Sequence, residues 1–147
     1  MLPAFAVSPT DNTFITAGTD NMITSWSTET KADLWEIKHT SPLTAASYNA
    51  NGSVIAVGNA IGRWYVYDAS RGEQLASFQC DRSAVSCISF SPENDFVAIG
   101  MESGVVFFYR VHQADYKYFI SYRVSLFIKW TISISTIPSI PKKNSVL

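Results

Sequence analysis

Two cysteines and two histidines are all that the 147 residues offer in soft or imidazole ligands, and that scarcity removes much site chemistry at once. Cys80 and Cys87 have six residues between them, with no histidine or second cysteine pair nearby. That is a poor zinc pattern, and it leaves two small structural side chains, buried or half-buried. His39 and His112 fall in no His-Glu-x-x-His, Gly-x-Ser-x-Gly or phosphate-loop setting. No catalytic, cofactor-binding or metal residue is therefore assigned, and the chain is expected not to be an enzyme. An excess of one charge is lacking too: the formal net charge is −1, with no run of like charges. This excludes a broad basic surface for nucleic acid or acidic lipid. A membrane helix needs about 20 predominantly apolar residues, and Arg123, Lys129 and Pro138 leave too short a run between them. The opening Met1-Leu2-Pro3-Ala4 has neither the charged nor the apolar region of a secretory signal, so a reducing, cytoplasmic compartment is expected.

What is present is a pattern used three times. Residues 7–26, 48–68 and 90–110 share one order of features: a turn, an apolar run ending in glycine, a second turn, and an aromatic-rich run. Gly18, Gly58 and Gly100 mark the same point in each. Their spacing of about 40 residues is that of four-stranded propeller blades, and helical repeats run nearer 33 or 34. The expected fold is all-β, a partial β-propeller of about three four-stranded blades over residues 1–111, divided near 1–39, 40–80 and 81–111. Closed propellers use about 4 to 8 blades, so three cannot close a ring, and the chain reads as part of a propeller, either a truncated product or a partner for further blades from the same or another chain.

Within the first repeat, residues 3–7, 13–17, 22–26 and 34–38 read as strands. The second gives 43–48, 53–57, 63–67 and 74–78, with Asn51-Gly52 as the strongest hairpin signal, expected as a type I′ turn. The third gives 85–90, 96–99 and 105–109. Runs such as Val54-Ile55-Ala56-Val57 need not alternate with polar residues, because neighbouring blades cover both faces of a sheet. Residues 112–147 read as an atypical C-terminal extension. Residues 116–122 can supply one outer strand, but 124–140 are rich in Ile and Ser and match no repeat. That stretch reads as foreign sequence, such as an intron or alternative exon, replacing the next blade; residues after about Tyr118 are expected to carry no partner binding, so a chain cut before Tyr122 is expected to bind unchanged.

Ser8-Pro9 and Ser91-Pro92 after the first strand, with Trp26, Tyr67-Asp68 and Tyr109 near the end of the third, resemble WD40 blades. Gly52-Ser-Val-Ile-Ala-Val-Gly58 followed by Gly62-Arg63-Trp64, and Val85-Ser-Cys-Ile-Ser-Phe-Ser-Pro92 followed by Phe96-Val-Ala-Ile-Gly100, resemble more closely the echinoderm microtubule-associated protein-like family. The resemblance covers residues 2–111. It departs from the general WD40 pattern: no Gly-His dipeptide precedes a blade, so the usual buried Asp-His-Ser-Trp chain cannot form and packing must hold the blades. The family implies two joined propellers behind a basic segment and a trimerising coiled coil, and neither of those last two elements occurs among these residues.

Asp20, Asp68, Glu93 and Asp95 fall on turns, where a carboxylate holds backbone amides far more often than it does acid–base work. Arg63 and Trp64 are the candidate partner-binding residues, since a guanidinium beside an indole suits protein interfaces, with blade packing the other and favoured reading for Trp64. The resemblance implies an interaction module for tubulin and microtubules, cytoplasmic and cytoskeletal. The other reading is a WD40 scaffold subunit of another intracellular complex.

Overall fold

The computed structural model describes residues 4–112 and 117–125, with side chains through Arg110. Twelve strands form three antiparallel sheets, each built from four consecutive strands. Blade 1 is β1 (Ala4–Val7), β2 (Thr13–Ala17), β3 (Met22–Ser27) and β4 (Asp33–Lys38). Blade 2 is β5 (Leu43–Tyr48), β6 (Val54–Asn59), β7 (Arg63–Asp68) and β8 (Gln74–Gln79). Blade 3 is β9 (Val85–Phe90), β10 (Phe96–Met101), β11 (Val105–His112) and β12 (Lys117–Ser125). The first strands β1, β5 and β9 lie side by side and form the inner edge of the array.

The outer strand of blade 3 comes from the region where the repeats cease to be legible. It pairs with β11 from His112↔Lys117 to Val105↔Ser125, interrupted by a bulge between Tyr109 and Val111. The pairing therefore continues through residues 117–125, and residues 113–116 and 126–147 of the atypical extension lie outside the described residues.

Stacking explains the continuous apolar runs. Every residue of β6 is buried, and its side chains alternate between two cores, as the pleat of a strand requires. Ile55 and Val57 join Ile15, Ala17, Ile23 and Leu43 between blades 1 and 2. Val54 and Ala56 join Val85, Ile88, Val97 and Ile99 between blades 2 and 3. Strand β7 divides likewise, sending Tyr67 to the first core and Trp64 and Val66 to the second. The hydrophobic cores of this protein are thus the spaces between blades, as expected of a repeat architecture in which each unit is covered by its neighbours.

Polar contacts cross the same seams. Trp35 Nε1 donates to Ala69 O at 3.1 Å, and Thr44 Oγ1 donates to Val85 O at 2.6 Å. The loop after β5 corrects the type I′ expectation. Only Gly52 takes a positive φ, at 74°, while Asn51 does not. Gly52 N donates to Asn49 O and Asn49 N to Val54 O, so four residues rather than two turn the chain. Blade 3 repeats this loop with Asn94 at φ 61° in the place of Gly52, and Ser91 N closes it on Phe96 O.

Candidate interaction surface

Among the described residues the array presents two rims and two open faces. One rim carries a cleft of about 360 Å³ between blades 1 and 2, bordered by Asp11, Thr13, Leu34, Ser53, Asp68 and Ser70. Both carboxylates are engaged locally. Asp11 Oδ1 accepts from Thr13 Oγ1 at 2.5 Å and from Thr13 N at 3.1 Å. Asp68 Oδ1 accepts from Ser70 Oγ, Ser70 N and Arg71 N at 2.7 to 2.9 Å. Those hydrogen bonds, the hydroxyls of Thr13 and Ser70 foremost, hold both carboxyls below the usual aspartate value. Asp20 and Asp95 act likewise, accepting from Met22 N and Ser91 Oγ. These are turn-forming roles of the kind the sequence indicates.

The opposite rim lies at the other end of β7 and holds a cleft of about 590 Å³ bordered by Ile61, Gln79, Cys80 and Arg82. Arg63 begins β7 on this rim, half-buried, with Nη1 donating to Ser77 Oγ at 3.0 Å. Trp64 beside it is fully buried. Its ring packs within 5.2 Å of Phe78 and 5.0 Å of Tyr109, centroid to centroid, inside the core between blades 2 and 3. Because strand neighbours point to opposite faces, the two residues that are adjacent in sequence do not form one surface. The structure leaves Arg63 at the rim and gives the indole to packing.

The cysteines divide as well. Cys80 is partly buried against that core, whereas Cys87 is exposed, contrary to the buried or half-buried expectation. Cys87 lies on β9 facing away from blade 2, on the open side of blade 3.

Sequence reasoning missed the polar pair at each blade junction. His39 follows β4 directly and its Nε2 lies 2.6 Å from Tyr67 OH of the next blade. Cys80 follows β8 directly and its Sγ lies 3.2 Å from Tyr109 OH of the next blade. The signal was in the spacing, 28 residues in one case and 29 in the other. It escapes a search for known motifs because imidazole and thiol occupy the same place. Burial pushes both phenols above their ordinary value, so each stays a neutral hydroxyl capable of donating.

Burial also lowers the pKa of His39 from its ordinary value near 6.5. The unfolded chain therefore binds more protons than the folded one below that value. Stability is complete above about pH 6.5 and is lost as pH falls through it toward the lower native value. Urea titrations should show a midpoint that drops between pH 7 and 5, and a His39→Asn variant should lose most of that slope.

Three four-stranded blades packed face to face define a segment of a WD40-type β-propeller. The solved structure of U3-55K superimposes with a TM-score of 0.73 at 22% identity, covering 81% of this chain and 38% of that one. A crystal structure of the RRP9 WD40 repeats also gives 0.73, at 22% identity over 80% of this chain and 37% of that one. The family model described as the echinoderm microtubule-associated protein second beta-propeller matches residues 2–132. The chain belongs to the echinoderm microtubule-associated protein family. Echinoderm microtubule-associated protein-like 2 of Mus musculus is 32% identical over 112 residues, which are 76% of this chain and 17% of that protein. Echinoderm microtubule-associated protein-like 1 of Homo sapiens is 27% identical over 77% of this chain and 14% of its own length. The 77 kDa echinoderm microtubule-associated protein of Strongylocentrotus purpuratus is 25% identical over 77% and 16%. The chain thus spans about a sixth of these relatives. The family match extends past Val111, where the recognisable repeats stop, and takes in β12.

Proposed function

We propose that the chain is a non-catalytic interaction module that binds tubulin or microtubules through its blade rims, in the cytoplasm and on the cytoskeleton. The observation that carries this reading is the family match over residues 2–132, supported by relatives whose names describe them as microtubule-associated. Propeller rims and edges offer broad surfaces for protein partners. Arg63 remains the best-placed side chain for such a contact, beside Ile61, which is 52% exposed, and Arg82. Asp81 and Glu102 stand on nearby loops and offset the two guanidinium groups, so packed contacts rather than net charge would carry the affinity.

Co-sedimentation of the purified 147-residue chain with polymerised tubulin tests this. Saturable pelleting is expected, weakened about tenfold by Arg63→Ala, a loss of about 1.4 kcal/mol. Absence of saturable pelleting by a folded chain would count against the reading and favour a scaffold role in another complex. The family match and β12 also change where a truncation should be made. A chain cut before Tyr122 loses part of a blade 3 strand, whereas one ending at Ser125 keeps it. Truncation at Ser125 is expected to leave tubulin binding unchanged and to improve solubility by removing apolar residues 126–140.

A further inference from the structure

We infer, on the footing that the chain is an interaction module, that the cleft where blades 2 and 3 meet on the Arg63 rim seats an apolar side chain of a partner protein, with the acidic residue next to it held by Arg82.

The three blades are alike enough to show where this rim departs from the repeat. Ala17↔Ile23, Gly58↔Trp64 and Gly100↔Val106 close the corresponding hairpins. In each hairpin the residue at positive φ stands at the same place, as Asn21, Gly62 and Gly104. The residue before it is polar in blades 1 and 3, Asp20 and Ser103, but in blade 2 it is Ile61, 52% exposed. The connections between blades differ on the same rim. His39 and Cys80 are equivalent through their contacts with Tyr67 and Tyr109. After His39 the chain continues as Thr40-Ser41-Pro42, without charge, whereas after Cys80 it continues as Asp81 and the exposed Arg82. Ile61 and Arg82 border one cleft, with Gln79 and Cys80. Neither belongs to a core between blades. Two departures from an internal repeat that meet in space, and that packing does not require, point to a function.

The walls of this cleft are fixed in advance. Gln79 Nε2 donates to Ile61 O at 2.8 Å and to Asp81 O at 3.0 Å, which ties the hairpin to the connection. Cys80 N donates to Gly62 O at 2.9 Å, and a Cβ at Gly62 would collide with Asp81 O. A preformed site costs a ligand little ordering. The charges are also sorted. Asp81 Oδ1 accepts from Ser83 N and Oγ, and Oδ2 accepts from Ser103 Oγ, so both its oxygens are engaged within the protein. Arg82 makes no hydrogen bond or ion pair among the described residues. Its guanidinium is therefore available to a carboxylate, which it can take through two parallel hydrogen bonds. Beside it, Ile61 and the half-buried Cys80 offer apolar contact. Packing of the apolar residue supplies affinity, and the guanidinium selects what stands next to that residue.

The test is fluorescence anisotropy of labelled peptides titrated with the 147-residue chain. Ser-Gly-Leu-Glu-Leu-Glu-Gly-Ser is expected to bind saturably. Counterparts with Gln or Lys for Glu, or with Ala for Leu, should bind at least about tenfold more weakly. Arg82→Glu should transfer the preference to the Lys peptide. Ile61→Asp, which installs the residue that blade 1 has there, should weaken the Glu peptide about tenfold with unchanged circular dichroism. Arg71→Glu, on the opposite rim, should change nothing. No saturable binding of the Glu peptide up to about 1 mM, equal binding of the Gln peptide, or an unaltered preference in Arg82→Glu would each overturn the proposal. Co-sedimentation with polymerised tubulin separates the two readings. Peptide binding without pelleting keeps the cleft and removes tubulin as its partner, whereas pelleting without peptide binding keeps tubulin and removes the cleft.

Discussion

Truncation of Trp64 to alanine is expected to cost about 3 to 5 kcal/mol, the range for removing a large aromatic side chain from a packed core. The indole has no accessible surface and sits among Phe78, Tyr109, Val66 and Ala56 where blades 2 and 3 meet. A domain of ordinary stability, about 5 to 15 kcal/mol, would lose much of its margin. Since each blade leans on its neighbour, the loss should appear as uncoupling of blade 3 from blades 1 and 2. Urea denaturation followed by tryptophan fluorescence and by hydrogen exchange would show β9 to β11 losing protection first. Arg63→Ala, one residue away, should change stability by under about 1 kcal/mol, because it removes one half-buried hydrogen bond to Ser77. If both variants lost similar stability, the division between rim and core drawn for this pair would be wrong.

That division shows where the sequence was legible and where it was not. Repeat spacing placed the strands closely: residues 43–48 and 85–90 coincide with β5 and β9, and Thr13–Ala17 with β2. Period and turn chemistry are local properties, so a single chain reveals them. The direction of a side chain inside a doubly covered sheet is different, because both faces are apolar and alternation carries no hydrophobic contrast. Trp64 could be assigned to a partner or to a core on composition alone, and only the stacking of blade 3 decided it. The outer strand β12 was legible only as residues 116–122, and its continuation through Ser125 was hidden for a related reason. It is held by backbone pairing to β11 and lies at the edge of the array, so its sequence is not bound to the apolar pattern of the inner strands. The His39–Tyr67 and Cys80–Tyr109 pairs were hidden because different chemistry fills equivalent places.

Gly58→Val is expected to destabilise the chain by about 3 kcal/mol, near the upper end of overpacking costs. The reason is proximity, since Gly58 carries no positive φ that would itself exclude a side chain. A Cβ built at Gly58 would stand 2.5 Å from Val85 Cγ1 and 2.6 Å from Val85 Cβ. Val85 is fully buried on the first strand of blade 3, so it cannot rotate away into solvent. Relief would require β9 to move off β6, opening the seam that Thr44 Oγ1 closes through Val85 O. This gives the repeated glycine a physical meaning at the second blade: it lets the inner strand of the next blade approach. The double variant Gly58→Val with Val85→Ala removes the two Cγ atoms in conflict but keeps the Cβ at 2.6 Å, and should recover part of the loss, although Val85→Ala alone destabilises. Such a negative interaction energy between two residues in different blades would locate the strain at the seam. Additive losses in the double variant would instead mean that Gly58 is required by its own strand, and the close-approach explanation would fail.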